Sequence, residues 1–495
     1  MLIDRISFMG CSRKFFALCG LVAAVSVAGC NTPQPLPTEL PQEVFALPEQ
    51  FSSTGQVSVD PRWWQAFDDA ALNALVQDAL ADNPDLQATY WRLQQADAAA
   101  AQARSGFWPR LTGSLENTEQ RRASSNEFDF SGAENEGNSW SGNLAASYEV
   151  DLWGRVRSGA RAAEAGYLAQ EQNFNIAALT LVAEVAGVWL QLQEQRGQER
   201  LLQAQLDTNR QSLRALELRF GSGVTAAADV LQQRQLVQQS LQELEQSRAN
   251  TRILLTQLAA LLGTSVESLP PSAFADSQLP QLPPLPDTGI PSSLLLRRPD
   301  VQSAQRTVLQ GYYLADQAWA ERLPTLSLSM LLNGGGLALV DITEDWLLNL
   351  SASLDGVIFD GGNLRAQQRQ QEAVEQERWA LLRDTVLQAL SEVEQVLINE
   401  QAIRQRLQFL QTRSELADQI TLRQRRAYGQ GTLDFLNVLS ATNSQQSLER
   451  QLLTARRELL ENRVALYRAL SGGLPAQDLP QPVPVELDIY RQESQ

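Results

Sequence analysis

Histidine is absent from this chain of 495 residues, and lysine occurs only once, at Lys14. A chain without histidine has no imidazole for a metal site and none to act as a general base. The formal net charge is −17, from 40 basic and 57 acidic side chains. Proteins that bind nucleic acid present a clustered positive surface, so we expect neither a basic patch nor nucleic acid as a partner.

Cysteine is also scarce, and two of the three residues, Cys11 and Cys19, fall within the first 29 positions. That segment places basic side chains before an apolar run at 15–29 that is too short for a membrane helix, as in a secretory signal. It ends in Val27-Ala28-Gly29-Cys30, which resembles the bacterial lipobox. The resemblance implies that residues 1–29 are a lipoprotein signal peptide and that Cys30 carries a covalent lipid.

An ordinary signal peptide with a nearby cleavage site is the alternative, and it leaves Cys30 unmodified. The mature chain has no second cysteine, so a disulfide framework is excluded. Loss of residues 1–29 removes three basic side chains and one acid, which changes the formal net charge from −17 to −19. Asn31 is compatible, by the same resemblance, with export to the outer membrane. Frequent proline predicts that residues 30–62 form an extended N-terminal tether, and the lipobox resemblance implies that this tether is lipidated.

A stretch of alternating residues from Trp346 to Ile358 dominates the second half of the chain. Apolar residues at every second position predict a strand with one apolar face. Thirteen residues at roughly 3.3 Å each make about 43 Å, whereas a tilted strand crosses a bilayer with about 9 to 11 residues. The strand is therefore long enough to span a membrane, and an amphipathic edge strand of a soluble sandwich is the alternative.

The same construction occurs twice. A second alternating stretch begins at Trp140, and 25 residues separate Pro84 from Pro109, as they separate Pro299 from Pro324. These correspondences indicate an internal duplication. We predict a first repeat at 63–268 and a second at 295–473, joined by a Pro-rich linker at 269–294 and followed by a tail at 474–495. The predicted β-hairpins cover about 109–153 and 324–360, and the predicted coiled hairpins cover about 156–262 and 362–470.

Each coiled hairpin contains a very long helix, because apolar residues repeat at helical spacing over about 60 residues without proline, a length of about 90 Å. Glu400 interrupts the apolar seam of the second one. The helices turn at two Gly-x-Gly sequences that are 208 residues apart, at Gly221 and Gly223 and at Gly429 and Gly431. We expect both glycines of each pair to permit left-handed backbone at a tight turn.

Four membrane strands per chain cannot close a barrel, and an open sheet in lipid leaves edge N–H and C=O groups unpaired. The chain must therefore form oligomers if the strands lie in a membrane. Two copies give eight strands with a filled interior, and three copies give twelve strands around a lumen. A lipid-anchored periplasmic coiled-coil scaffold without a pore is the alternative if the strands lie elsewhere.

The order of these motifs, repeated twice over residues 60–473, resembles the TolC family of outer-membrane efflux proteins, in particular its OprM-like lipoprotein branch. The resemblance implies a mixed α/β membrane protein in which a trimeric 12-stranded β-barrel continues into a long periplasmic α-helical barrel. It also implies docking to a periplasmic adaptor and an inner-membrane pump of the RND or ABC type. No reaction is catalysed in the family, and no cofactor is expected besides the lipid on Cys30.

The resemblance places a gate at the helical tips. Tyr428 matches a tyrosine with which relatives tie neighbouring helix pairs together, whereas Asn437 and Ser440 stand where relatives usually carry aspartate. Asp434 or Asp229 supplies an acidic ring if it faces the channel axis. Helix N-capping is the alternative role for both aspartates. Trp140 and Trp346, which we expect at the starts of two strands, suit a membrane-interface aromatic belt; core packing is the alternative.

The function expected from this resemblance is an outer-membrane channel that passively conducts small molecules from a pump and adaptor to the exterior. A channel for ABC-driven secretion of proteins or peptides is the second possibility, and the scaffold is the third. The acids of the loop between the first two strands, at Glu127, Asp129, Glu134 and Glu136, are expected to be solvated surface. With no histidine and no free cysteine after lipidation, the chain cannot hold a soft-metal relay of its own.

Overall fold

The computed structural model describes residues 50–121, 136–275, 278–291 and 297–481. The long helices α3 and α6 contain 67 residues each, which corresponds to about 100 Å at 1.5 Å per residue. Cys30 and the loop acids Glu127, Asp129 and Glu134 lie outside the described residues. In chain order the α-helices are α1 Ala70–Asp82, α2 Pro84–Arg104, α3 Arg155–Gly221, α4 Ala227–Leu261, α5 Pro299–Ala320, α6 Asn363–Gly429 and α7 Phe435–Leu470.

Four antiparallel strands form one sheet in the order β1-β2-β3-β4. The register aligns Gly113 with Leu144, Leu144 with Leu332, and Leu332 with Leu348 across the whole sheet. The two edge strands, β1 and β4, each have a hydrogen-bonded neighbour on one side only. The strands are β1 Arg110–Arg121, β2 Glu136–Val150, β3 Thr325–Gly336 and β4 Trp346–Asp355.

The register gives the sheet two different faces, because directly paired residues point to the same side. One face is apolar across all four strands, and several of its side chains are exposed, with Leu350 73% and Leu354 66% accessible. The opposite face carries mainly serine, threonine and asparagine. The apolar face includes Leu111 and Leu115 on β1, Leu144 and Tyr148 on β2, Leu326 and Leu328 on β3, and Trp346, Leu348, Leu350 and Leu354 on β4.

The strand ends differ from the sequence-based expectation. β4 ends at Asp355 instead of Ile358, because its partner strand begins after Pro324, which has no N–H to continue the ladder. β1 and β2 extend into the predicted polar loop and pair Thr118 with Ser139. The expectation that Trp140 starts its strand was therefore wrong, because β2 begins four residues earlier, at Glu136.

Local sequence explains where the helices begin. Asn83 caps α2 through a hydrogen bond from the Leu86 N–H, and Pro84 occupies the first helical position. Gly154 and Gly362 precede the two long helices with φ of 82° and 91°, a backbone conformation that glycine adopts without a steric penalty. A short helical turn at Trp63–Phe67 is separated from α1, because Asp68 takes a positive φ of 51° and Asp69 caps α1.

The four helices of the two coiled hairpins follow the lateral order α4-α3-α7-α6, and nearer the sheet α5 packs against α3 and α6 while α2 packs against α3. Apolar side chains fill each hairpin, with Leu206 and Leu244 between α3 and α4, and Leu410 and Leu448 between α6 and α7. The main core lies midway along the helices around Trp189, whose indole N–H donates to Asp69 at 2.8 Å. One stretch of α3 is long and apolar enough by composition to cross a membrane, and half of it is buried inside the molecule.

The Pro-rich linker binds to this middle region. Arg463 on α7, which is 0% exposed, donates hydrogen bonds to the carbonyl oxygens of Pro283 and Pro284. Its guanidinium also pairs with Glu400 on α6, at 2.5 Å. Glu400, which interrupts the apolar seam, thus neutralises the charge of Arg463, the residue that binds the linker.

Candidate functional site: the helical tips

Two turns, which we call the first tip and the second tip, close the coiled hairpins at the end opposite the sheet. In the first tip the N–H groups of Gly223 and Val224 donate to the carbonyls of Phe220 and Arg219, both at 2.9 Å. In the second tip the N–H of Gly431 donates to the Tyr428 carbonyl at 3.0 Å, and the N–H of Thr432 donates to the Ala427 carbonyl at 3.1 Å. These paired bonds are the Schellman ending of an α-helix.

The two glycines of each tip have different roles. Gly223 and Gly431 have φ of 76° and 72°, in the left-handed region that the turn requires. Gly221 and Gly429 are the last residues of α3 and α6, and a Cβ at either position would meet no atom within 4 Å. Both glycines of a pair permit left-handed backbone, but only the second one of each pair adopts it.

Tyr428 lies between the two hairpins of the chain. Its hydroxyl is 3.0 Å from the Thr225 hydroxyl, which in turn donates to Asp229 at 2.8 Å. The guanidinium of Arg219 lies over its ring at 4.8 Å, and the ring of Phe435 is 5.5 Å away. The tyrosine thus connects the end of α6 with the first tip through a hydrogen bond and a cation–π contact.

The aspartates near the tips occupy unequal positions. Asp434 is the N-cap residue of α7, but its side chain accepts no capping hydrogen bond. Asp229 lies in the first turn of α4, where its carboxylate is bound to Thr225. Asp434, Asn437 and Ser440 are exposed to solvent in the single chain. Asp229 is therefore part of the Tyr428 contact, whereas Asp434 is a free carboxylate at the tip.

An acidic pair that the sequence did not reveal lies between α5 and α6. Burial and, to a lesser extent, the carboxylate of Glu375 raise the pKa of Asp316 to about 6, although Arg161 opposes the shift. Both effects disfavour the ionised form. The signal in the sequence is weak, because Asp316 and Glu375 are 59 residues apart and only the packing of the two helices brings them together.

The aromatic residues expected at a membrane interface share the apolar face. Trp140 pairs with Gly336, and Trp346 pairs with Gly334, two positions along the same strand. Trp346 is 62% exposed. Beyond Trp140 the same face becomes polar, with Glu119 opposite Asn138. No group of three or more acidic or cysteine side chains suited to a metal ion occurs in the part of the chain that the structure describes.

A sequence profile of the family described as "Outer membrane efflux protein" matches residues 75–264 and 290–472. The chain belongs to this family. One relative of the efflux protein is the "Pyoverdine export outer membrane protein OpmQ" of Pseudomonas putida, which is 33% identical over 470 residues. The alignment covers 93% of this chain and 98% of the relative. Another is the "Toluene efflux pump outer membrane protein TtgC" of the same species, at 28% identity, with 91% of this chain and 94% of the relative covered.

Among solved structures, the outer-membrane channel OprN is similar to the efflux protein with a TM-score of 0.77 and 26% identity. The alignment covers 87% of this chain and 98% of OprN. The fold class expected from the sequence is thus confirmed. The efflux protein is an outer-membrane channel component of a tripartite efflux system. Channels of this family form trimers, work with adaptors and inner-membrane pumps, and use no cofactor.

Proposed function

We propose that three copies of the chain close a 12-stranded barrel through which small molecules leave the cell passively, without catalysis. The observation that carries this proposal is the amphipathic sheet with unpaired edges at β1 and β4. Pairing β4 of one copy with β1 of the next satisfies every edge, which lipid requires. The apolar face then meets lipid, and the face rich in serine and asparagine lines a lumen wide enough for solutes.

The helices below the sheet support the same assembly. In the order α4-α3-α7-α6 the two outer helices lack a neighbour on one side. Their unpaired sides carry large apolar side chains that a neighbouring copy would cover. These exposed residues include Leu231 and Ile253 on α4 and Leu387, Ile398, Phe409, Leu416 and Ile420 on α6.

The cargo that we propose is a small organic molecule. The two relatives named above act, by their names, in pyoverdine export and toluene efflux. No feature of the described residues favours a polypeptide cargo delivered by an ABC pump. A partner pump of the RND type and a periplasmic adaptor fit this assignment.

Anchoring through a lipid on Cys30 is geometrically feasible. Phe51 packs against Val393 and Leu397, which lie about 45 to 50 Å along α6 from its start near the sheet. The 21 residues from Cys30 to Phe51 span about 65 Å if they are extended as polyproline II. The tether is thus long enough for its acyl chain to return to the membrane.

The gate of this channel is assigned to the tips, with Tyr428, Asp434, Asn437, Ser440 and Asp229 as its residues. The contact of Tyr428 with Thr225 and Arg219 supports a closing role, because opening the tips requires the two hairpins to separate. Asp434 is the exposed acid available to a ring around the axis. Trp140 and Trp346 are assigned to the outer membrane interface.

The test exchanges one residue on each face of β4. Leu350→Arg places a charge in lipid, which costs about 2 to 4 kcal/mol at the bilayer midplane, whereas Ser351→Arg points into the proposed lumen. We expect Leu350→Arg to abolish trimers in the outer membrane and Ser351→Arg to retain them. A strain without the chain should accumulate a fluorescent efflux substrate, and the wild-type gene should reverse this. Equal tolerance of both variants, or unchanged accumulation with an active pump, would refute the channel.

A further inference from the structure

The two tips, which the duplication relates by an offset of 208 residues, expose different chemistry. In the Schellman turn of the first tip, the position after the left-handed glycine is Val224, and its usual apolar contact partner is Leu218. Val224 remains 63% exposed and Leu218 remains 78% exposed. Phe220 nearby is 48% exposed. The first tip therefore presents an apolar patch that no described residue covers.

The second tip carries polar or basic residues at the corresponding positions. Arg426 stands in place of Leu218, and Thr432 stands in place of Val224. Tyr428, the counterpart of Phe220, is half-buried against the first hairpin, where Phe220 is exposed. The two duplicated turns thus have the same backbone conformation but expose different side chains.

Two further arginines make the second tip cationic. Arg423, Arg425 and Arg426 are exposed and form no ion pair among the described residues, and Arg425 makes only a 3.5 Å contact with Thr442. The single acid of this tip is Asp434. In a chain with a net charge of −17 this is a local excess of positive charge. The expectation from composition that the chain has no basic patch was wrong at this position.

We propose that the two tips are chemically distinct docking sites for one periplasmic partner protein, which presents apolar side chains to the first tip and carboxylates to the second. This inference rests on the proposed channel, whose adaptor is the partner in question. Unpaired guanidinium groups favour carboxylates, with which they form charge-assisted hydrogen bonds. In a trimer, three apolar and three cationic tips alternate, so a ring of adaptor subunits must offer both kinds of contact.

Position in the fold argues against other occupants. The tips lie about 100 Å from the sheet along α3 and α6, so outer-membrane lipid does not reach them. Val224 and Thr432 lie beyond the last helical residues, in the turns themselves, and not on the outer sides of α4 and α6 where the proposed trimer packs. Anionic inner-membrane lipid would meet the arginines, but it would also meet Asp434 and Asp229.

Crosslinking at equivalent positions tests the proposal in intact cells. A photoreactive phenylalanine analogue replaces Ser222 in one variant and Gln430 in another, since both occupy the residue before the left-handed glycine. We expect the two probes to capture the same adaptor at different peptides, apolar for Ser222 and acidic for Gln430. Capture of one identical peptide by both probes would overturn the proposal, as would capture at peptides of the opposite chemistry.

Matched substitutions supply an independent readout. We expect Val224→Asn to lower efflux at least tenfold, because it makes the apolar tip polar, and the matched Thr432→Asn to change efflux less than twofold, because it leaves the second tip polar and adds no charge. Arg423→Glu combined with Arg426→Glu should weaken adaptor binding at least tenfold at low salt, whereas Arg369→Glu, at the far end of α6, should not. Equal losses of efflux in the Val224 and Thr432 variants, or equal losses of adaptor binding in the two arginine variants, would count against two distinct sites. Trimer mass in detergent verifies folding of each variant.

Two further outcomes distinguish failure of the two-site docking from failure of the proposed channel. Binding of the purified trimer to phosphatidylglycerol vesicles that is lost in the Arg423 and Arg426 variant, without adaptor capture, would assign the second tip to lipid and overturn the proposal. If the wild-type trimer neither conducts ions across a planar bilayer nor supports efflux, the proposed channel fails. Intact conduction and efflux with indistinguishable tip variants would leave the channel in place and refute the two-site docking.

Discussion

Glu400 and Arg463 form an ion pair in the interior of the molecule, with 2.5 Å between the carboxylate and the guanidinium. Arg463 is 0% exposed and Glu400 is 4% exposed. The guanidinium holds the linker carbonyls of Pro283 and Pro284, so its charge cannot be removed from the site without losing those contacts. The pair joins α6, α7 and the connection between the two repeats.

Removal of the carboxylate charge should destabilise this region strongly. Glu400→Gln leaves the buried Arg463 without a counter-ion, and breaking such a pair costs about 3 to 5 kcal/mol. The free energy of unfolding from urea titrations of the detergent-solubilised protein measures the loss. Arg404→Gln is the control, because Arg404 contacts the same carboxylate at 2.9 Å but is half exposed, and it should cost less than about 1 kcal/mol. Similar losses in both variants would contradict the assigned role.

The two glycines of the first tip should respond to alanine in opposite ways. Gly223→Ala forces a Cβ into left-handed backbone, which costs roughly 1 to 2 kcal/mol. Gly221→Ala should instead stabilise the helix end by about 0.5 to 1 kcal/mol, because this helical position has open space around it. Native-state hydrogen exchange of the amides in 214–230 reports the local stability. Slower exchange in Gly223→Ala than in the wild type would disagree with the turn as described.

Stability should depend on pH through Asp316. Because its pKa is raised to about 6 from the ordinary aspartate value, the folded state binds this proton more tightly than the unfolded state. The carboxyl therefore favours folding at low pH, and this contribution is lost as the pH rises from about 4 through about 6. Asp316→Asn should raise the melting temperature at pH 7.5 and have a smaller benefit at pH 5. A benefit that grows on acidification would contradict the assigned environment.

Tyr428 should restrain the resting conductance of the trimer in a graded manner. Tyr428→Phe removes only the hydroxyl contact with Thr225, worth about 1 kcal/mol, whereas Tyr428→Ala also removes the contacts with Arg219 and Phe435. We expect conductance in planar bilayers to increase from wild type to Tyr428→Phe to Tyr428→Ala. Phe220→Ala, at the equivalent exposed position, should leave it nearly unchanged. A conductance that is the same in all four proteins would argue against a gate at this residue.

Sequence patterns were most informative where the structural cause is local. The alternation from Trp346 predicted a strand, and its apolar residues do lie on one face. The start of α2 likewise depends on adjacent residues, Asn83 as the cap and Pro84 at the first helical position. The end of β4 was missed because it depends on the partner strand, in which Pro324 cannot continue the hydrogen-bond ladder. The sequence did not distinguish the roles of Gly221 and Gly223, because both residues permit left-handed backbone and only the folded turn decides which one adopts it.

The amino-acid sequence by itself determined the duplication, the two-faced strands, the long helices and the family, because periodicity, proline and glycine act over a few residues and survive in the linear order. The tertiary structure decided what depends on long-range packing. It placed Tyr428 beside Thr225, 203 residues away, and paired Glu400 with Arg463. It also left Phe220 exposed and Tyr428 half-buried at equivalent turns. Burial depends on which neighbour each side chain meets, and sequence spacing carries no such information.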